Sequence, residues 1–310
     1  MTSPRHFLTM TDVSETELRS LVASAVAHKR HRRRWSSALA GKVVALVFQK
    51  PSMRTRVAFE VAVLQLGGSV VYLGQDDIQL GQREPIKDVA RVLSGYVDAI
   101  VARTFAHSDV EEFARYARVP VINGLSDLLH PCQALADLFT LQEHFGRVKG
   151  LTLAYVGDGN NVLHSLLQGC GMLGVNVSVA TPPGYRPDAA IWAAAGRRAK
   201  ARGARLTWTH VPREAVRDAD VVYSDVWVSM GKEREQAKRR QAFRGYQLNG
   251  SLLDATKPGC RIMHCLPAHR GEEITDELMG SPRSLIFEQA ENRLHVQKAL
   301  LMMLLGKQRT

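Results

Sequence analysis

Apolar runs of strand length alternate with stretches patterned at helical spacing along almost the whole chain, and this alternation narrows the possible folds more than any other feature. Short aliphatic strands, each followed by a helix, build a mainly parallel sheet, because the helix is the crossover that brings the chain back to start the next strand in the same direction. In the first half, residues 42–48, 69–73, 99–102 and 120–123 read as strands, and 55–66 and 86–93 as helices. A long helix is expected to open at His130-Pro131, since proline suits a first helical turn, and to stop near Gly146. The pattern then restarts with strand 151–156, the turn Gly157-Asp158-Gly159-Asn160-Asn161, helix 162–173 and strand 176–180. The break Thr181-Pro182-Pro183-Gly184, strands at 219–224 and 261–264 and a helical tail at 292–305 follow.

At 310 residues the chain is long for one hydrophobic core and comfortable for two. The expected class is α/β, with two open parallel-sheet α/β domains of similar size joined by linking helices. Residues 1–146 make the first and 147–289 the second, and a closing helix at about 290–306 packs back on the first.

The formal net charge of +11 admits a nucleic acid or a small anion as partner. Aromatics are only 6% of the chain and are not interleaved with the basic runs at 28–34 and 238–240, so there is no platform for stacking bases. Both runs read as solvated helix ends, and no nucleic-acid partner is expected. Cys132, Cys170, Cys260 and Cys265 form no C-x-x-C pair and show no ligand spacing with histidine, so neither a metal site nor disulfides are expected, and a reducing compartment fits. The N-terminal residues lack a secretion-signal pattern and no apolar run is long enough to cross a bilayer, which points to the cytoplasm and to no membrane partner.

The first motif with chemistry is Pro51-Ser52-Met53-Arg54-Thr55-Arg56, between a strand and a helix. Two arginines and two hydroxyls sit at a helix N-terminus, where free backbone N–H groups and the helix dipole already favour an anion such as phosphate. Ser52 is also a good N-cap in its own right, so the motif alone is ambiguous. Arg103 and His130-Pro131-Cys132-Gln133, however, also lie beyond the carboxyl ends of strands, where open α/β sheets bind ligands.

Ser-x-Arg-Thr-Arg, then an isolated arginine, then His-Pro-x-Gln resembles the carbamoyl-phosphate half of the aspartate/ornithine carbamoyltransferase family, and the resemblance extends over essentially the whole chain. It implies that Ser52, Met53, Arg54, Thr55 and Arg56 hold the phosphate. Arg103 and His130, with Pro131 and Cys132 beside it, would polarise the carbamoyl carbonyl, and Gln133 would hold the carbamoyl amide. Arg293 matches an arginine used near the carbamoyl group. Gln79, within Ile78-Gln79-Leu80-Gly81, resembles a residue lent across a subunit interface, which implies a homotrimer or a multiple of trimers. Met53 departs from the threonine of many relatives, removing one hydroxyl but no backbone donor.

The second half resembles the ornithine-specific branch. Asp225-Val226-Trp227-Val228-Ser229-Met230-Gly231 and His264-Cys265-Leu266-Pro267 match its loops and differ from the aspartate-specific ones. By that resemblance Asn161, Ser229 and Met230 hold the amino-acid head and Asp225 faces its ammonium. Cys265 lies near the reacting amine, with Leu266 on the carbamoyl side, and Cys265 paired with Asp225 takes the proton. The implied reaction is transfer of the carbamoyl group from carbamoyl phosphate to the δ-amine of L-ornithine, giving L-citrulline and phosphate, with catalytic residues Cys265, Arg103, His130 and Asp225 and no cofactor. This is a step of arginine biosynthesis, although the same chemistry run in reverse serves arginine breakdown. The nearest rivals lie inside the family, carbamoyltransferases preferring putrescine, an acetylated or succinylated ornithine, or aspartate. Outside it, a nucleotide-dependent dehydrogenase is suggested by Gly157-Asp158-Gly159 in a strand–turn–helix setting, but Leu163 stands where its fingerprint requires a further glycine, and Ala180-Thr181 where it requires an acidic residue.

Overall fold

In the computed structural model, residues 3–32, 34–81, 83–229, 231 and 233–306 are described. The chain divides into two compact units, Met1–Phe139 with Glu291–Thr310, and Thr140–Ala290. It passes from one to the other within two long helices.

The first unit contains α1 (Glu15–Arg30), β1 (Val43–Phe48), α2 (Met53–Gln65), β2 (Ser69–Leu73), α3 (Gln75–Ile78), α4 (Ile86–Leu93), β3 (Ala99–Arg103), α5 (His107–Tyr116) and β4 (Val121–Leu125), and α6 (Pro131–Phe145) begins in it. Its sheet has the order β2-β1-β3-β4, all parallel. The inner strands β1 and β3 are apolar on both faces because helices cover both, and β3 is buried throughout. Ala45, Val47, Ile100 and Ala102 pack against Val89 and Ala90 of α4 and Val110 and Phe113 of α5.

Ser14 caps α1 in a capping box with Glu17, and its last turn carries His28, Lys29 and Arg30 against the negative end of the dipole. The sequence suggests a solvated basic run, but part of it is buried. His28 is fully buried, its ring centroid 4.2 Å from that of Trp35. Burial first, then Lys298 and His295, lowers its pKa from 6.5 to about 4. An imidazole that resists protonation only when folded contributes stability in full above about pH 6.5. The contribution is lost as the pH falls from there toward 4, because in that window the unfolded chain takes up a proton that the folded chain refuses. Urea melts of a His28→Phe variant between those limits are expected to show a shallower acid slope than wild type. An unchanged slope would exclude His28 as its source.

The second unit contains β5 (Thr152–Val156), α7 (Asn161–Leu173), β6 (Asn176–Ala180), α8 (Ala189–Ala201), β7 (Leu206–Thr209), α9 (Pro212–Ala215), β8 (Val221–Ser224), α10 (Gln236–Ala242), α11 (Gly250–Leu253), β9 (Arg261–His264) and α12 (Asp276–Met279), and α13 (Ile286–Leu305) begins in it. Its sheet, again parallel, has the order β7-β6-β5-β8-β9.

In both sheets the chain builds outward in one direction and then returns to the other side. The reversal falls between β1 and β3 in the first sheet and between β5 and β8 in the second. At such a point adjacent strands lead into loops that diverge, leaving a crevice at their carboxyl ends. No helix among the described residues is long and apolar enough to cross a membrane.

Candidate active site

At the switch point of the first sheet, β1 leads through Lys50-Pro51-Ser52 into α2. Ser52 is the N-cap, its Oγ accepting from Thr55 N at 3.3 Å, so the sequence's bland reading of this serine is true as well. Thr55 is buried, and its Oγ1 accepts from Arg293 Nη2 at 2.8 Å. Arg293 also donates to Gln133 Oε1, while Gln133 Nε2 donates to Asp137 Oδ1 at 2.8 Å. Residues from α2, α6 and α13 are thus tied into one cluster.

Arg103 ends β3 at a register shift against β4, still paired with Phe48 of β1 and Leu125 of β4. It is 7% exposed, and its Nε has no hydrogen-bond partner among the described residues. Burial, and then the guanidinium groups of Arg293 and Arg54, lower its pKa to about 10. His130, immediately before α6, is buried as well. Desolvation and then Arg293, Arg103 and Arg54 hold it well below the ordinary histidine range, so its imidazole is neutral at pH 7. The three arginines repel one another in a poorly hydrated place, a cost that a multiply charged anion would remove.

Other residues singled out in the sequence stand apart from this cluster. The Arg56 guanidinium is exposed, with Nε 2.9 Å from Glu60 Oε1 and its centre 3.6 Å over the Tyr72 ring. The Met53 side chain is 71% exposed. Pro131 is the first residue of α6, and the thiol of Cys132 donates to Asn123 O at 3.4 Å, with burial raising its pKa to about 12. Gln79 is exposed and left-handed, at φ 40°, closing α3.

At the switch point of the second sheet the loops after β5, β8 and β9 meet. Asp225 follows β8 and is buried; its Oδ1 accepts from Val226 N at 2.8 Å and from Cys265 Sγ at 2.9 Å, and its Oδ2 from Asn160 Nδ2 at 2.7 Å. Cys265 follows β9, 8% exposed. Leu266 has a left-handed backbone at φ 58°, and its N–H donates to His264 Nδ1 at 2.9 Å. Such a conformation is costly for a branched residue and tends to occur where a site demands it. Asn161 begins α7 beside Asn160, and Ser229 is partly exposed, four residues beyond Asp225. Met230 lies outside the described residues.

Two features of this half were not visible in the sequence. Asn160 contacts Asp225; asparagine's preference for N-cap positions is the signal that would have marked it for a special role. Arg239, read as part of a solvated run, is 4% exposed, with Nη1 donating to Asp158 Oδ2 at 2.7 Å and to Trp227 O at 3.0 Å. The pairing is what makes its burial tolerable, and it ties α10 to the loop after β5. The dehydrogenase reading fails on geometry. Gly159 N donates to Tyr185 O at 2.9 Å, and a Cβ on Gly159 would lie 2.3 Å from Pro187 N, so the chain's own segment fills the place where a dinucleotide's pyrophosphate would approach that turn.

Two family profiles match the chain: the carbamoyl-P binding domain of aspartate/ornithine carbamoyltransferase over residues 5–143, and the Asp/Orn binding domain of the same enzymes over 149–304. An ornithine carbamoyltransferase of Methanoculleus marisnigri is 52% identical over 304 residues, covering 97% of each chain. One of Pyrococcus furiosus, described as anabolic, is 55% identical over 268 residues, covering 86% of this chain and 85% of the relative. The solved structure of ornithine carbamoyltransferase from Pyrococcus furiosus superimposes with a TM-score of 0.95 at 50% identity, covering 99% of both chains.

Proposed function

The chain belongs to the aspartate/ornithine carbamoyltransferase family, and from that premise we infer that it works as the ornithine-specific members do, transferring the carbamoyl group of carbamoyl phosphate to the δ-amine of L-ornithine to give L-citrulline and phosphate. The observation that carries the inference is the group of mutually repelling arginines around a neutral His130, of which Arg54, Arg103 and His130 itself lie in the part of the chain that matches the carbamoyl-P domain.

In this reading the first turn of α2, from Ser52 to Thr55, and Arg54 bind the phosphate. Arg56, turned to Glu60, serves the packing of α2 instead. Met53 contributes its backbone. Arg103, Thr55 and the N–H of neutral His130 donate to the carbonyl oxygen as it gains negative charge, and Arg293 orients Thr55 and Gln133. Gln133 Oε1 keeps a second lone pair for the carbamoyl NH2 group. In the second unit, Asn161, Ser229 and Met230 hold the ornithine head, and Asp225 with Cys265 receives the proton that the δ-ammonium sheds before attack. No step requires a metal or an organic cofactor. The four cysteines are buried and form no disulfide, which favours the cytoplasm, and the anabolic name of one relative favours arginine biosynthesis. Phosphate release from carbamoyl phosphate that depends on added ornithine tests the reaction; release at the same rate without ornithine would contradict it.

The active form is a homotrimer or a multiple of one. Met53, Val57 and Leu64 make an apolar stripe on α2 that is 71%, 49% and 62% exposed, and Val71 on the edge strand β2 is 44% exposed. A second copy of the chain is the occupant proposed for this face, with the exposed Gln79 entering the neighbour's site. Sedimentation is expected to give a mass of three chains, each of 34.3 kDa, or a multiple, and a Val57→Glu, Leu64→Glu double variant is expected to dissociate and lose activity. A fully active monomer would exclude the assembly.

A further inference from the structure

We propose that Asn160 is a positioning residue for the acceptor half of the reaction: the helix it caps locks its amide, and the locked amide holds the Asp225 carboxylate turned toward Cys265. Asn160 Oδ1 accepts from Val162 N at 3.0 Å and Leu163 N at 3.2 Å, the two capping bonds of α7, and from the Tyr155 hydroxyl at 3.4 Å. An amide flip would break all three, so Nδ2 must face away from the helix. There it donates to Asp225 Oδ2 at 2.7 Å. The other carboxylate oxygen is occupied by Val226 N and the Cys265 thiol, so each oxygen of Asp225 has a defined neighbour.

Asn160 donates to Oδ2, and the ligating atoms of Asp225, His264 and Cys265 lie within 4.8 Å of one another at the ends of β8 and β9. Tyr155, packed in β5, is fully buried, and burial followed by the charges of Asp225 and Asp158 keeps its hydroxyl protonated and therefore a donor. The arrangement spans the switch point of the second sheet. The residue after β5 that starts a helix is the same residue that orients the acid after β8.

The proposal rests on the reading of Asp225 as the ornithine-side acceptor, and its test separates the two. Serine and aspartate both cap helices well, so Asn160→Ser and Asn160→Asp each preserve α7. Serine lacks the amide donor, and aspartate sets a carboxylate against Asp225. Asn160→Ser is expected to melt close to wild type, and Asn160→Asp lower, because its carboxylate faces that of Asp225. For Asn160→Ser, kcat/KM for ornithine should fall about 10- to 100-fold, as for a lost hydrogen bond to a charged group, with KM for carbamoyl phosphate unchanged. Asn160→Asp should be worse than Asn160→Ser, although it is the equal or better cap. In an Asp225→Asn background the serine substitution should add little, because it acts through Asp225. Variants near wild type, or Asn160→Asp outperforming Asn160→Ser, would reduce Asn160 to a cap and overturn the proposal alone. A wild-type enzyme with no ornithine-dependent turnover would overturn the functional reading and this one with it.

Discussion

Replacing Arg103 with methionine is expected to lower kcat for citrulline formation by about 10²–10³-fold, the usual cost of removing one preorganised donor to a developing oxyanion, while leaving the melting temperature unchanged or higher. The two halves of this expectation have one cause. Arg103 sits in a buried place among like charges, where desolvation and the neighbouring Arg293 and Arg54 lower its pKa to about 10. A group held against its electrostatic preference contributes to transition-state charge and not to the stability of the unliganded fold. Methionine matches the length of the aliphatic stem and brings no charge to desolvate. The measurement is kcat beside thermal melting of the same preparation. A large fall in melting temperature together with the lost activity would make Arg103 a structural arginine.

Asp225→Asn is expected to reduce kcat/KM for ornithine by about 10²–10⁴-fold, the range for loss of a positioned general base, with little effect on KM for carbamoyl phosphate. The substitution keeps the shape of the side chain and the burial of the loop, so the loss reports charge and basicity. It also sets a second amide against Asn160 Nδ2, which donates to Asp225 Oδ2 at 2.7 Å. Steady-state kinetics with each substrate varied separately make the distinction. A fall in kcat accompanied by a large drop in melting temperature would place the defect in folding.

The α/β class and the long elements were legible because parallel strands covered on both faces are written as unbroken apolar runs, as in Val43–Phe48 and Ala99–Arg103. What escaped notice has weak apolar patterning. In α5 (His107–Tyr116) the buried residues are Val110 and Phe113, and in α8 (Ala189–Ala201) they are Ala195 and Ala199. The edge strand β7 (Leu206–Thr209) is short, and no side chain in it is fully buried.

In the candidate site, residue identity was legible and direction was not. The motif Ser-x-Arg-Thr-Arg contains Arg54 and Arg56 on equal terms, yet two positions along α2 turn one toward the Arg103 cluster and the other to Glu60 and Tyr72. Likewise, nothing in Asn160-Asn161 says which asparagine caps the helix, and nothing in Lys238-Arg239-Arg240 says that the middle residue has a buried carboxylate waiting 81 positions upstream. Those choices are made by tertiary contacts between segments remote in the chain.

The most direct test is product identity when the purified protein is given carbamoyl phosphate with L-ornithine, putrescine, N-acetylornithine or L-aspartate in separate reactions, read by mass spectrometry. Citrulline from ornithine, with the other three acceptors at background and the ornithine reaction lost in Arg54→Ala, is the expected result. Preferred carbamoylation of any other acceptor, or no product with all four, would contradict it.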